Sequence, residues 1–316
     1  MKILIRSSIV LLSLLLLRST SLGETDLRIE TDLFYTGTGN PRQALDMVLP
    51  KVPASEKLPV IVFIHGGGWR NGNKSGALRQ RLAKYAASGT YVAVSVGYRL
   101  SGEAKWPAQI HDCKAAIRWI RANAGKYGID PDRIGVWGTS AGGHLVAMLG
   151  TSAGVESMDG NLGPYPDVSS KVACVADFFG PTDFLTMDQF STADARFKHD
   201  SADSPESLLI GAPIQEVPEL VRTANPITYV DGNEPPFLIV HGTDDPLVPF
   251  NQSEILKVAL DRKKVPNTLI TVKGGGHGKG FGPDVTEVLD RFFEHHLLQK
   301  ETVWRDVTIK AQPGNN

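Results

Sequence analysis

Cysteine is nearly missing from this chain: Cys113 and Cys174 are the only two in 316 residues. A disulfide scaffold is thereby excluded, and so is any metal centre built on paired cysteines. An exported chain could pair the two, but Cys113 falls on the inner face of an expected helix and Cys174 in an expected core strand, so both read better as separate buried thiols used for packing. Charge of one sign is also lacking. There are 33 basic and 34 acidic side chains with no run of Lys and Arg, which argues against a nucleic-acid partner or a membrane-surface patch. The eight histidines are scattered, with no H-x-x-x-H spacing, so a metal-dependent hydrolase has no ligand set and no cofactor is expected.

Long hydrophobic runs are equally absent. The stretch Ile9 to Leu17 falls well short of the about 20 residues that a hydrocarbon core demands, and Arg18 closes it. Lys2 and Arg6 precede that stretch, and Ser21 and Gly23 follow at the spacing of a signal-peptidase site. Residues 1–23 therefore read as a signal peptide, with a secreted or periplasmic mature chain starting near Glu24 and no stable membrane insertion. The rest, at 41% hydrophobic content overall, suffices for one domain over 24–316.

Within that domain, strand and helix signals alternate. Leu58 to Ile64, Tyr91 to Val96, Arg133 to Trp137, Val172 to Phe178, Pro236 to Val240 and Thr268 to Val272 are short, almost uninterrupted apolar runs, as strands buried on both faces are. The clearest helix starts at Pro107 and spaces Ile110, Cys113, Ile117, Ile120, Ala124 and Tyr127 by three and four, until Gly128 and Pro131 end it. Towards the C-terminus, Asp284 and Glu287 suggest a capping box ahead of Val285, Val288, Leu289 and Phe292. The pattern predicts a mostly parallel α/β sheet with helices on both faces. Residues 151–170 and 181–230 break the rhythm and read as insertions at the carboxyl edge of the sheet, where they would form a small cap over a ligand crevice.

Two glycine-rich turns carry chemistry. His65-Gly66-Gly67-Gly68-Trp69 follows one apolar run and can turn backbone N–H groups outward; Gly138-Thr139-Ser140-Ala141-Gly142 follows another and has the G-x-S-x-G form of a nucleophile elbow. The same pentapeptide recurs at Gly150 to Gly154, so the motif alone decides nothing. An elbow needs strand, turn and helix in that order. Ser140 has that context; Ser152 follows a helix and leads into a polar loop. Gly138 and Gly142 would be small because the bend brings helix and strand together. The amides of Gly67, Gly68 and Ala141 are then candidates for an oxyanion hole, where one donor is worth about 3 kcal/mol in the transition state.

A serine hydroxyl needs a base, and that base an acid to orient it. In the order Ser, acid, His, the base must follow Ser140, which excludes His65 and His111. His144 on the next helix, His199 in the irregular insertion and His295 and His296 in the last helix fit less well than His277, which stands in G-G-G-H-G just past a strand. His241 reads as a turn anchor. Asp245 is favoured as the acid, four residues past His241 and three before Val248, which leaves Asp244 to solvent or the turn.

These motifs resemble the hormone-sensitive-lipase-like esterases of the α/β-hydrolase fold, and most closely their bacterial feruloyl esterase and acetyl esterase branch. Besides the two glycine turns, the resemblance covers A-L-D-M-V-L-P at 44–50, S-V-G-Y-R-L at 95–100, Y-G-I-D-P-D-R-I at 127–134, F-F-G-P-T-D at 178–183 and P-P-F-L-I-V-H-G-T-D-D at 235–245. It implies a serine esterase with Ser140 as nucleophile, Asp245 as acid and His277 as base, acting on a small ester or an esterified plant cell-wall polysaccharide. The elbow reads G-T-S where much of the superfamily has G-D-S. Trp69, Tyr98 and Phe179 stand near strand ends as candidate aromatic walls for a phenolic acyl group, with core packing the competing reading; Trp69 is the one retained as a substrate contact. The same triad would also serve an amidase, and the same fold a binding module.

Overall fold

A computed structural model describes residues 27–51, 56–77 and 81–313. The expected signal peptide, residues 1–23, lies outside the described residues. Nine strands form one sheet: β1 (Leu27–Phe34), β2 (Ala44–Pro50), β3 (Leu58–Ile64), β4 (Val92–Val96), β5 (Ile129–Thr139), β6 (Cys174–Phe178), β7 (Phe237–Gly242), β8 (Asn267–Lys273) and β9 (Val307–Lys310), in spatial order β1-β2-β4-β3-β5-β6-β7-β8-β9. β1 and β2 pair antiparallel, as do β2 and β4; every pairing from β4 through β3 to β9 is parallel. This is the α/β-hydrolase arrangement.

The helices that bear on the site are α1 (Ala83–Ala87), α2 (Ala108–Ala122), α3 (Ala141–Thr151), α4 (Pro205–Ile210), α5 (Asn251–Arg262) and α6 (Pro283–Leu298). They cover the sheet on both faces. Val60, Val62 and Ile64 of β3 face a core shared with Ile117, Leu145 and Leu256 of α2, α3 and α5. Ile61 and Phe63 face the opposite core, with Tyr85 of α1 and Leu289 and Phe293 of α6. Strands buried on both sides cannot alternate apolar and polar residues, which is why the central runs are continuous in sequence.

All six expected strands are present within a residue or two at most ends. β5 starts four residues earlier than expected, and Pro131 lies inside it rather than ending a helix; the register between β3 and β5 shifts between Leu58 and Val60, and such an irregularity accommodates a residue without an N–H. β1, β2 and β9 were not expected as strands. β1 and β9 are edge strands with largely exposed sequences that carry little apolar signal, and in the buried β2 the acid Asp46 interrupts the apolar run. The helix at Pro107 ends at Ala122, and a separate turn runs from Ala124 to Tyr127 before Gly128 closes it in the left-handed region at φ 66°.

Two expectations are corrected. Asp284 and Glu287 form no capping box: Gly282 is the N-cap with Pro283 at the first helical position, Asp284 supplies negative charge to the first turn, and Glu287 pairs with Arg291. Residues 151–170 do not cover the crevice described below. They run against α2, where His111 meets the Ser157 carbonyl, Lys114 pairs with Asp159 and Arg118 donates to the Asp159 and Leu162 carbonyls. Only the stretch from 181 onward reaches that crevice.

Candidate active site

Ser140 joins β5 to α3 in a strained conformation, φ 57° and ψ −124°. The left-handed region disfavours a residue with a Cβ, and the surroundings hold it there. Ser140 N donates to the Phe178 carbonyl at 2.9 Å, which ties the elbow to the end of β6. A Cβ on Gly138 would collide with the Gly142 carbonyl oxygen, and one on Gly142 with the carbonyl oxygens of Ile64 and His65. Both glycines are thus dictated by contact with backbone.

The HGGG loop packs directly on this elbow: a Cβ at Gly66 would lie 2.6 Å from the Thr139 carbonyl oxygen and 3.2 Å from the Ser140 Cβ. Gly67 and Gly68 take positive φ, 111° and 57°, and their amides, like that of Ala141 at the start of α3, donate to no acceptor among the described residues. They are available to an incoming oxyanion. His65 supports the loop from below. Its ring stacks on Tyr98 with centroids 4.4 Å apart, its Nδ1 lies 2.7 Å from the Gly66 carbonyl, and Tyr98 Oη donates to the His65 carbonyl at 2.9 Å. Burial lowers the His65 imidazole to about 4, so the ring is neutral near pH 7.

Asp245 and His277 come together from the loops after β7 and β8. His277 Nδ1 lies 2.7 Å from Asp245 Oδ2, while Asp245 Oδ1 accepts from the amides of Leu247 at 2.8 Å and Val248 at 3.0 Å. Burial alone would raise the Asp245 carboxyl; hydrogen bonds from His241 and His277 outweigh it and hold the group well below the usual carboxylate range. Asp245 is therefore a permanent anion facing Nδ1, which leaves Nε2 of His277 for proton transfer. Asp244 is exposed and accepts from the Thr243 hydroxyl at 2.7 Å.

Ser140 and His277 border one crevice of about 580 Å³, together with Gly67, Gly68 and Ala141. The Ser140 hydroxyl makes no hydrogen bond among the described residues, and contacts of this kind commonly tighten only when substrate is bound. A larger depression of about 880 Å³ lies behind the His277 loop, but Ser140 does not reach it. Ser152 has another occupation: it caps the end of α3, and its hydroxyl donates to the Met148 carbonyl at 2.6 Å. The other histidines are also accounted for. His144 Nε2 lies 2.7 Å from the Ala224 carbonyl in an apolar site, and burial lowers its imidazole to about 4. His241 anchors the acid loop, with Nδ1 2.7 Å from Ser253 Oγ and Nε2 3.0 Å from the Val248 carbonyl.

Trp69 borders the crevice, yet only 1% of it is exposed, and its ring packs against His144 and Phe184. Tyr98 is fully buried against His65. Phe179 is the aromatic group next to the chemistry: its ring centroid lies 4.5 Å from that of His277, on a backbone at φ 45°.

The BD-FAE family profile matches residues 45–260, which span the HGGG loop, the elbow and the acid loop. The chain belongs to the BD-FAE family. Esterase LipC of Mycobacterium tuberculosis is 35% identical over 243 residues, 76% of this chain and 57% of its own length. The chain spans about half the length of such curated relatives. Among solved structures, a truncated form of a carbohydrate esterase from gut microbiota superimposes with a TM-score of 0.79 at 34% identity, over 88% of this chain and all of the other. A bifunctional GH43-CE protein of Bacteroides eggerthii gives 0.77 at 36% identity, over 85% of this chain and 35% of the other.

Of three further residues of this BD-FAE site, Asp177 and Glu206 carry no sequence expectation and His199 figures there only as a weaker candidate base. Asp177 stands at 1% exposure behind the elbow, its Oδ1 accepting from Gly180 N at 2.9 Å, and burial raises its carboxyl to about 7. His199 and Glu206 border the crevice from the 181–230 insertion. An acid inside the apolar run C-V-A-D-F-F was a signal for the first. The other two lie in a stretch without periodicity, which gave no reason to place them inside.

Proposed function

We propose that this BD-FAE protein is an exported serine carboxylic ester hydrolase that cleaves short-acyl or hydroxycinnamoyl esters on carbohydrate, such as plant cell-wall polysaccharide, through an acyl-enzyme. The reading rests on one observation: a 2.7 Å Asp245–His277 pair opens on the same crevice as a strained Ser140 and three undonated amides. His277 Nε2 removes the Ser140 proton as the oxygen attacks the ester carbonyl. The amides of Gly67, Gly68 and Ala141 receive the negative charge, and Asp245 stabilises the imidazolium. His277 then returns the proton to the leaving alcohol, and water repeats the sequence to release the acid. The carbohydrate part is supported by the gut-microbiota carbohydrate esterase among its structural neighbours, and export by the pattern of residues 1–23.

The test is kcat/KM of the purified mature chain on methyl ferulate and p-nitrophenyl acetate side by side, with Ser140→Ala as the blank and fluorophosphonate labelling of Ser140 as a readout of the nucleophile. Turnover of ferulate assigns a hydroxycinnamoyl acyl group, and turnover of acetate alone a short one. Absence of both turnover and labelling would overturn the reading.

A further inference from the structure

His199 and Glu206 form a second buried charged pair on the wall of the crevice, one that the ester-cleaving steps do not use. His199 is 2% and Glu206 3% exposed, and His199 Nδ1 lies 3.2 Å from Glu206 Oε2. That is ion-pair distance, and these two atoms face each other closed to solvent; the positions left for a bound group are His199 Nε2 and Glu206 Oε1, which have no hydrogen-bond partner among the described residues where the pair lines the crevice. Burial alone would lower the His199 imidazole; Glu206, with Asp188 and Asp200 beyond it, raises it above its ordinary value and favours its charged form.

The pair is held rigidly. His199 N donates to Asp188 Oδ1 at 2.9 Å, and Asp200 N to Asp188 Oδ2 at 3.1 Å. Glu206 sits in α4, which packs against the oxyanion loop so closely that a Cβ on Gly68 would lie 3.2 Å from the Pro205 Cβ. A substrate whose carbonyl oxygen rests on Gly67 and Gly68 therefore has this pair beside it. Buried charges without aligned hydrogen bonds are costly, and a bound group that supplies the missing bonds is selected strongly over one that does not. The group that fits donates to a carboxylate while accepting from an imidazole N–H, as a hydroxyl does. A substrate carboxylate would be repelled by Glu206, and an alkyl chain would leave both partners unsatisfied.

We infer that His199 and Glu206 bind a free hydroxyl of the alcohol part of the substrate, and so select esters of polyols and sugars over simple alkyl or aryl esters. The inference rests on the carbohydrate-ester reading above and gives it a residue-level cause.

The experiment compares wild type, Glu206→Gln and His199→Gln in the full mature chain. Each is assayed on methyl 2-O-acetyl-β-xylopyranoside and on p-nitrophenyl acetate, whose alcohol part has no further hydroxyl. Methyl β-xylopyranoside is also used as an inhibitor of p-nitrophenyl acetate hydrolysis, which reports sugar binding without sugar cleavage. The expected result is a fall of about tenfold or more in the ratio of kcat/KM for sugar acetate over p-nitrophenyl acetate, with a matching rise in the xyloside inhibition constant, as for loss of a hydrogen bond to a charged group. In wild type, O-methylation of the xyloside should abolish inhibition, and this arm needs no variant to fold. A preserved ratio and inhibition constant in a folded variant, equal losses on both substrates, or undiminished inhibition by the methylated sugar would overturn the inference while leaving the carbohydrate reading intact. A wild type that neither cleaves the sugar acetate nor binds the xyloside overturns both.

Discussion

Asp177→Asn should make the protein more stable at alkaline pH and change it little in acid. The wild-type carboxyl is buried behind the elbow: Oδ1 accepts from Gly180 N at 2.9 Å, and Oδ2 has no partner among the described residues. Burial raises it from 3.8 to about 7, against a smaller lowering by the Gly180 bond. The folded state therefore holds this proton more tightly than the unfolded chain does. Its stabilising contribution is complete below 3.8 and is lost as pH rises through about 7. Between pH 4 and pH 8 the loss is about 4 kcal/mol, at 1.36 kcal/mol per pKa unit. Asparagine keeps the acceptor for Gly180 and the shape of the neutral acid, but it cannot ionise. His65 and His144, both lowered to about 4, act in the opposite sense, since their stability is lost as pH falls from 6.5 toward 4; they titrate in both proteins and cancel in the difference. Urea unfolding followed by tryptophan fluorescence, at half-unit steps from pH 4 to 8, measures that difference. The variant should gain about 4 kcal/mol over wild type across the range. Parallel stability curves would refute the reasoning, because they would mean that Asp177 ionises without penalty. Serine–histidine chemistry needs an unprotonated imidazole, so the stabilising contribution of Asp177 is lost in the pH range where the protein is expected to be most active.

Ser140→Ala should remove nearly all esterase turnover, whereas Ser152→Ala, which loses only a cap bond to Met148, should keep kcat and shift stability by about 1 kcal/mol; equal kinetic losses would overturn the assignment of the elbow. Asp245→Asn should lower kcat by about 10⁴, the loss measured for the equivalent change in a serine protease triad, while Asp244→Asn, on an exposed side chain bonded to Thr243, should stay close to wild type in the same assay. Gly142→Ala forces a Cβ onto backbone carbonyl oxygens, so it should cost about 1–3 kcal/mol in thermal unfolding and also lower kcat/KM by displacing Ser140; an unchanged melting temperature would show that the elbow can yield.

Much of the candidate site was legible because its parts are local. Strand, glycine turn and helix specify the elbow within a few residues, and chain order together with placement just past a strand narrows eight histidines to His277. The two copies of G-T-S-A-G were separable for the same reason, since only one follows a strand. Gly150 of the second copy has a packing role, because a Cβ there would lie 2.6 Å from Phe237 Cζ and 2.8 Å from Val175 Cγ2. The misplaced elements lack such signals. β1 and β9 expose most of their residues at the sheet edges, the capping box at Asp284 was displaced by Gly282 and Pro283, and the route of 151–170 depended on charges of α2 far away in sequence.

By itself, the sequence determined the parallel α/β core and singled out Ser140, Asp245 and His277 as candidates, because period, turn chemistry and chain order are properties of short segments. Tertiary structure decided what depends on distant residues meeting. It put the ring of Trp69 into the core and Phe179 beside His277, it brought Asp177 behind the elbow without a counter-charge, and it turned an aperiodic insertion inward so that His199 and Glu206 share a wall of the crevice. The cost of burying charge depends on what surrounds it in space, and no window of sequence contains that environment.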